Sequence, residues 1–120
     1  KIINNIKNFD VLILSGWGHR IELYKKYDKA WGIQTTGWYL VNNHYYDTLI
    51  DIFQESVDNM ESLFRQNQNI NYHIWSIDQN WKKLQKKDNW LILKHNLGYQ
   101  YNSYSDIEHT HVDYTKLGLY

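Results

Sequence analysis

The carboxylates and aromatics of this chain are where chemistry could reside. Asp78 lies within Ser76-Ile77-Asp78-Gln79, which has the form of a capping box: a serine followed three residues later by glutamine at the start of a helix. A carboxylate fixed in that way can act as a general base toward a hydroxyl. It can equally be an ordinary first-turn acid, stabilised by the helix dipole by about 0.3–1 kcal/mol. Asp106 and Glu108 alternate in Ser105-Asp106-Ile107-Glu108. On an extended segment both would face one way, to accept from ligand hydroxyls or to be solvated. His109 and His111 have the His-x-His spacing of some metal sites. Trp17, Trp38 and Trp81 offer rings for stacking. Trp81 falls on the apolar face of a helix and reads as core, whereas Trp17, between Gly16 and Gly18, reads as the better stacking group.

Several chemistries are excluded or unsupported. The chain has no cysteine, hence no disulfide, thiolate nucleophile or cysteine zinc site. Gly16-Trp17-Gly18 lacks the spacing of a phosphate loop, and neither a serine nucleophile elbow nor a helical His pair four apart occurs. Thirteen basic residues balance thirteen acidic ones, so no net field draws the chain to nucleic acid or anionic membranes. No apolar run approaches the roughly 20 residues that span a bilayer. With 42% hydrophobic residues, 120 residues suit one domain with a core. The eleven Lys against two Arg, with abundant Asn, Ile and Tyr, match AT-rich coding.

The elements that must hold these groups follow from periodicity. Residues 2–9 read as the end of a helix. Val11-Leu12-Ile13-Leu14, closed by Ser15-Gly16-Trp17-Gly18, reads as a buried parallel strand ending in a glycine turn. Residues 21–31 read as an irregular connection with at most one short strand. Thr35–Val41 reads as a second strand, after which Asn42 or Asn43 caps a long helix. Tyr46, Ile50, Phe53, Val57, Met60 and Phe64 recur at helical spacing and predict the stripe that lies on the sheet. Ile77, Trp81 and Leu84 line a shorter helix, Trp90–Leu93 forms a third strand, and residues 94–120 form a loop-rich tail. Strands alternating with helices predict an α/β arrangement.

The order of the motifs carries a resemblance that no single one carries. A strand ending in Leu14-Ser15-Gly16 is followed by Thr35-Thr36-Gly37-Trp38-Tyr39-Leu40-Val41 and then by a helix containing Leu49-Ile50. Ser76-Ile77-Asp78-Gln79 opens the next helix, a strand follows at Trp90–Leu93, and Tyr104-Ser105-Asp106-Ile107-Glu108 closes the series. Over about Asp10 to Glu108 this resembles the C-terminal part of the glycosyltransferase family of bacterial lipooligosaccharide and procollagen galactosyltransferases, copies of which also occur in giant DNA viruses. The resemblance implies a partial GT-A-like (Rossmann-like) sheet flanked by helices. It also implies transfer of a hexose from a UDP-sugar to a hydroxyl, with Asp78 as catalytic base and Thr36, Gly37, Ser105, Asp106 and Glu108 as substrate-binding residues, beside Trp17, the stacking group read from its glycine-flanked position. It implies a divalent metal (Mn or Mg) for the complete enzyme, held by an Asp-x-Asp-type motif upstream. Residues 1–9 contain no carboxylate, so no such cofactor is expected of this chain, and His109 and His111 are the remaining metal candidates. The partners implied are a nucleotide sugar, a glycan or protein hydroxyl acceptor, and an N-terminal half or another chain at an unpaired sheet edge. A viral origin would place the protein in host cytoplasm or virion. The alternative expectation is a non-catalytic structural or carbohydrate-binding remnant of the same fold.

Overall fold

The computed structural model describes residues 8–66, 71–106, 108–113, 115 and 116, with the backbone alone at Tyr72. The expected helix end over residues 2–9 lies almost entirely outside the described residues, as does Ile107. Among the described residues five strands and three α-helices follow in the order β1 (Val11–Glu22), β2 (Tyr27–Val41), α1 (Tyr46–Gln66), α2 (Ile77–Asn80), α3 (Lys82–Lys87), β3 (Trp90–Leu93), β4 (Ser103–Ser105) and β5 (Thr110–Val112), with short 3-10 helices at Asn43–Tyr45 and Tyr72–Trp75. Helix and strand are thus mixed, as an α/β reading requires.

The aliphatic runs explain the centre of the sheet. Val11, Leu12 and Ile13 pair in parallel with Trp90, Leu91 and Ile92. Successive strand residues point to opposite faces, and here both faces are covered. Val11, Ile13, Trp90 and Ile92 join the main core with Ile33, Leu49, Ile52, Trp81 and Leu84. Leu12, Leu91 and Leu93 form a smaller cluster with Phe9, Leu14, Tyr27 and Leu40. Residues from both α1 and α3 enter the main core, so the described helices lie on one face, where helices flanking the sheet were expected.

Two corrections concern β1 and β2. Gly16-Trp17-Gly18 does not close a strand; β1 runs through it to Glu22. Gly18 has φ +137°, and a Cβ there would fall 2.2 Å from the Gly32 carbonyl oxygen, so the glycine permits close crossing of two strands. Residues 21–31 are likewise no irregular connection but the tip of a long antiparallel hairpin, pairing Ile21 with Lys29 and Glu22 with Asp28. Its alternation is disguised because an inward position is Asp28, a buried carboxylate that meets Lys94 Nζ at 3.4 Å and Arg20 at 4.0 Å. Register shifts after Ile13, Ser15 and His19 bend the ribbon. Tyr27, Asp28 and Lys29 thereby reach the far side of β3 and pair with Leu93, Ile92 and Leu91. The three strands close on themselves.

The stripe on α1 is also displaced. Leu49, Ile52 and Ser56 face the core, whereas Tyr46, Ile50, Val57 and Phe64 are exposed, Ile50 at 61%. The buried face is set by close approach to α2: Asn80 Nδ2 donates to Ser56 Oγ (3.0 Å) and to the Ile52 carbonyl (3.4 Å), which needs a small side chain at position 56. At the start of the helix Asn42 caps nothing with its side chain but donates Nδ2 to the Phe9 carbonyl, tying the connection to the entrance of β1.

Ser76 does not form the predicted capping box. Its hydroxyl donates backward to the His73 carbonyl at 2.7 Å, while Gln79 reaches across to Gln34. The helix it was to open is broken into α2 and α3 at Trp81. That residue is fully buried, T-shaped against Trp90 (5.2 Å) and Tyr39 (5.4 Å), and donates Nε1 to the Ile33 carbonyl at 2.8 Å. Trp81 is core, as its helical position predicted. The tail is loop-rich apart from the small β4–β5 hairpin.

Candidate functional site

An irregularity in the β1–β2 hairpin makes the site. Ser15 pairs with Trp38 and Trp17 with Gln34, so only Gly16 stands on β1 opposite Thr35, Thr36 and Gly37 on β2. A Cβ on Gly16 would lie 2.8 Å from Ile33 Cγ2 and 3.2 Å from the Gln34 carbonyl, so glycine lets β2 press close before it bulges. The extra residues form a lip. Bulges of this kind redirect side chains and are frequent beside binding sites.

The lip is strained. Thr35 has φ +72°, a left-handed conformation that a β-branched residue adopts at a cost of about 1–3 kcal/mol. Its backbone N–H donates to Asp78 Oδ2 at 3.1 Å, which links the lip to the first turn of α2. Among the described residues its buried hydroxyl has no hydrogen-bond partner, nor does the indole N–H of Trp17 on the adjacent strand. Next to Asp78, Lys82 Nζ donates to Gln34 Oε1 and to Gln79 Oε1, both at 2.8 Å, and Gln79 Nε2 donates to the same Gln34 oxygen at 3.2 Å. Burial lowers the Lys82 pKa, opposed by the charge of Asp78 and assisted by that of Lys86.

The opposite wall is the segment after β3. Leu97 N–H donates to the Leu14 carbonyl (2.9 Å), Gly16 N–H to Asn96 Oδ1 (3.1 Å), and Ser15 Oγ to the Gly98 carbonyl (2.6 Å). These bonds tie the segment to β1 and bring Gly98 against the Trp38 ring, with Tyr99 following it. The result is an open cleft of about 830 Å³. Asp78, Trp17, Thr36, Gly37, Ser105 and Glu108 all line it, joined by Thr35, Trp38, His73 and Tyr99.

Three sequence-derived candidates fall elsewhere. Asp106 is exposed and absent from the lining, because Asp106 and Glu108 lie in a turn after β4 rather than on an extended segment: Glu108 N–H donates to Ser105 Oγ at 3.2 Å. Asp106 and Glu108 therefore do not act as a pair. His109 sits in the same turn with φ 54°, and His111 lies in β5 with its ring against Tyr104. No three of the His, Asp and Glu side chains among the described residues come together to hold a metal ion.

Thr35, Gln34, Lys82 and Tyr99 are the site residues that sequence reasoning passed over. The signal for the first two was the run of polar and glycine residues, Gln34 to Gly37, in an otherwise β-branched and aromatic strand. Tyr99 carried no signal in the tyrosine-rich tail. No protein-family model, no curated protein and no solved structure matches this chain.

Proposed function

We propose that the chain is the acceptor-side part of a GT-A-like glycosyltransferase domain, acting in transfer of a hexose from a UDP-sugar to a hydroxyl. One observation carries the reading: Asp78 stands in the cleft with one carboxylate oxygen tied to the lip at Thr35 N–H. The other substrate-binding candidates named by the motif order share that cleft, Asp106 excepted. In this reading Asp78 Oδ2 is held by the lip, and Oδ1 takes the proton of the acceptor hydroxyl. The hydroxyl oxygen then bonds to the sugar carbon as the bond to UDP breaks and its electron pair leaves with the phosphate. The described residues do not fit a divalent metal, so no step here runs through one. Any metal and the nucleotide fall to other parts of a complete enzyme.

A second reading, carbohydrate binding without catalysis, has one observation of its own. The Thr35–Asp78 bond gives Asp78 a structural task that needs no chemistry. Transfer separates the two. The product of the complete gene is supplied with UDP-glucose or UDP-galactose, manganese, and glycan or hydroxyl-bearing peptide acceptors. Hexose transfer supports the first reading; hydrolysis and transfer both at background, in a folded protein, overturn it.

A further inference from the structure

We infer that the cleft takes an uncharged saccharide, laid against Trp38, and is not the seat of a nucleotide or any other anionic ligand. The inference rests on reading the cleft as the acceptor side and names the class of molecule that enters it.

Charge is the first argument. The carboxyl groups of Asp78 and Glu108 line the cleft, and its described lining contains neither Lys nor Arg. The ammonium of Lys82, beside Asp78, is engaged by the side-chain oxygens of Gln34 and Gln79. Phosphate sites are built from cations and converging backbone N–H groups, and a diphosphate brought here would meet like charge. A sugar brings the opposite complement. Its hydroxyls are donors as well as acceptors, and carboxylates accept from them strongly.

Shape is the second argument. Trp38 is 59% exposed and Tyr99 65% exposed, both in the cleft wall. The Trp38 ring is backed by the chain at Gly98, where a Cβ would make ordinary contact at 3.7 Å from the ring. Gly98 is in turn anchored by Ser15. The indole is therefore supported at Gly98 while most of it stays exposed in the cleft lining. A pyranose has a C–H face that packs on such a ring and a rim of hydroxyls for polar groups beside it. A few placed polar groups around an aromatic surface is the usual composition of a small-molecule site.

The test uses the 120-residue chain labelled with ¹⁵N, following the six tryptophan indole signals by NMR. The probes are lactose, cellobiose and maltose as neutral disaccharides, sialyllactose as the charged counterpart of lactose, and UDP with and without manganese. The expected result is binding of at least one neutral disaccharide at a Kd of about 1 mM, reported at the Trp38 indole. Sialyllactose should bind more weakly than lactose, and UDP should bind no more tightly with manganese than without. Trp38→Ala and, separately, Tyr99→Ala should each weaken the saccharide by about tenfold, measured on the remaining indoles. Micromolar UDP binding, tighter binding of sialyllactose than of lactose, or no response of Trp38 to any neutral disaccharide overturns the inference. Failure here with hexose transfer intact leaves the transferase reading standing. A saccharide response in a protein that never transfers hexose supports this inference and overturns that reading.

Discussion

Ile33 and Thr35 are two residues apart on β2, yet their surroundings are opposite. Ile33 lies where β2 has no strand on its outer side, and the helices supply what a strand would. Gln85, fully buried, accepts from Ile33 N–H through Oε1 and donates to the Ile33 carbonyl through Nε2, both at 2.8 Å, and Trp81 Nε1 donates to the same carbonyl. Every backbone polar group there is paired. At Thr35 the chain is left-handed, the side-chain hydroxyl has no partner among the described residues, and the neighbouring Trp17 indole N–H has none either. Buried polar atoms without partners cost about 1–3 kcal/mol each. Stability is thus concentrated behind the cleft and withheld from its lip. Strain that persists in a fold is held there by the structure around it, and such strain gathers at binding sites. The contrast marks the lip as a strained part of the cleft, and the proposed site is built on it.

Variants at the two ends of this contrast should diverge. The largest stability loss is expected from Trp81→Ala, which empties the centre of the core and removes a donor from the Ile33 carbonyl; about 3–5 kcal/mol should be lost in a denaturant melt. A loss below about 1 kcal/mol would show that the core is centred elsewhere. Gln85→Ala should cost about 1–3 kcal/mol, because it leaves the Ile33 N–H buried and unpaired. Hydrogen exchange at Ile33 should accelerate in the same variant, and unchanged protection would mean that Gln85 is not the partner. The smallest effect, and of opposite sign, is expected from Thr35→Gly. It removes the left-handed strain and the orphaned hydroxyl while keeping the N–H that Asp78 accepts. Against the entropy that glycine adds to the unfolded chain, about 0.5–1 kcal/mol, the net change should be neutral to stabilising. A clear loss of stability would show that the lip is relaxed.

The strands that organise the core were legible, and for a physical reason. Val11–Leu14 and Trp90–Leu93 are covered on both faces, which leaves continuous apolar runs. The hairpin was illegible because its inward positions include Asp28, a charge met by Arg20 across the hairpin and by Lys94, distant in sequence. The stripe on α1 misled because the helix is apolar over a wider arc than it buries, and the choice was made by Ser56 and Asn80 rather than by hydrophobicity. In the cleft, Asp78, Thr36, Gly37, Ser105 and Glu108 stood out through motif order and Trp17 through its flanking glycines. Thr35 was not, since its role lies in a backbone angle imposed by pairing across the sheet. Gln85 was hidden for the same reason: a glutamine among lysines gives no sign that it will finish a strand.

The central claim is that the lip holds Asp78 for chemistry, and Asp78→Asn addresses it most directly. Asparagine keeps the shape and can still accept from Thr35 N–H, but it cannot take a proton from a hydroxyl. The measurement is hexose transfer by the complete gene product carrying Asp78→Asn, beside its melting temperature. The account predicts a fall of about 10²–10⁴ in rate with the melting temperature nearly unchanged. Near-normal transfer by a stable Asp78→Asn protein would contradict it, leaving Asp78 as a strut for the lip alone.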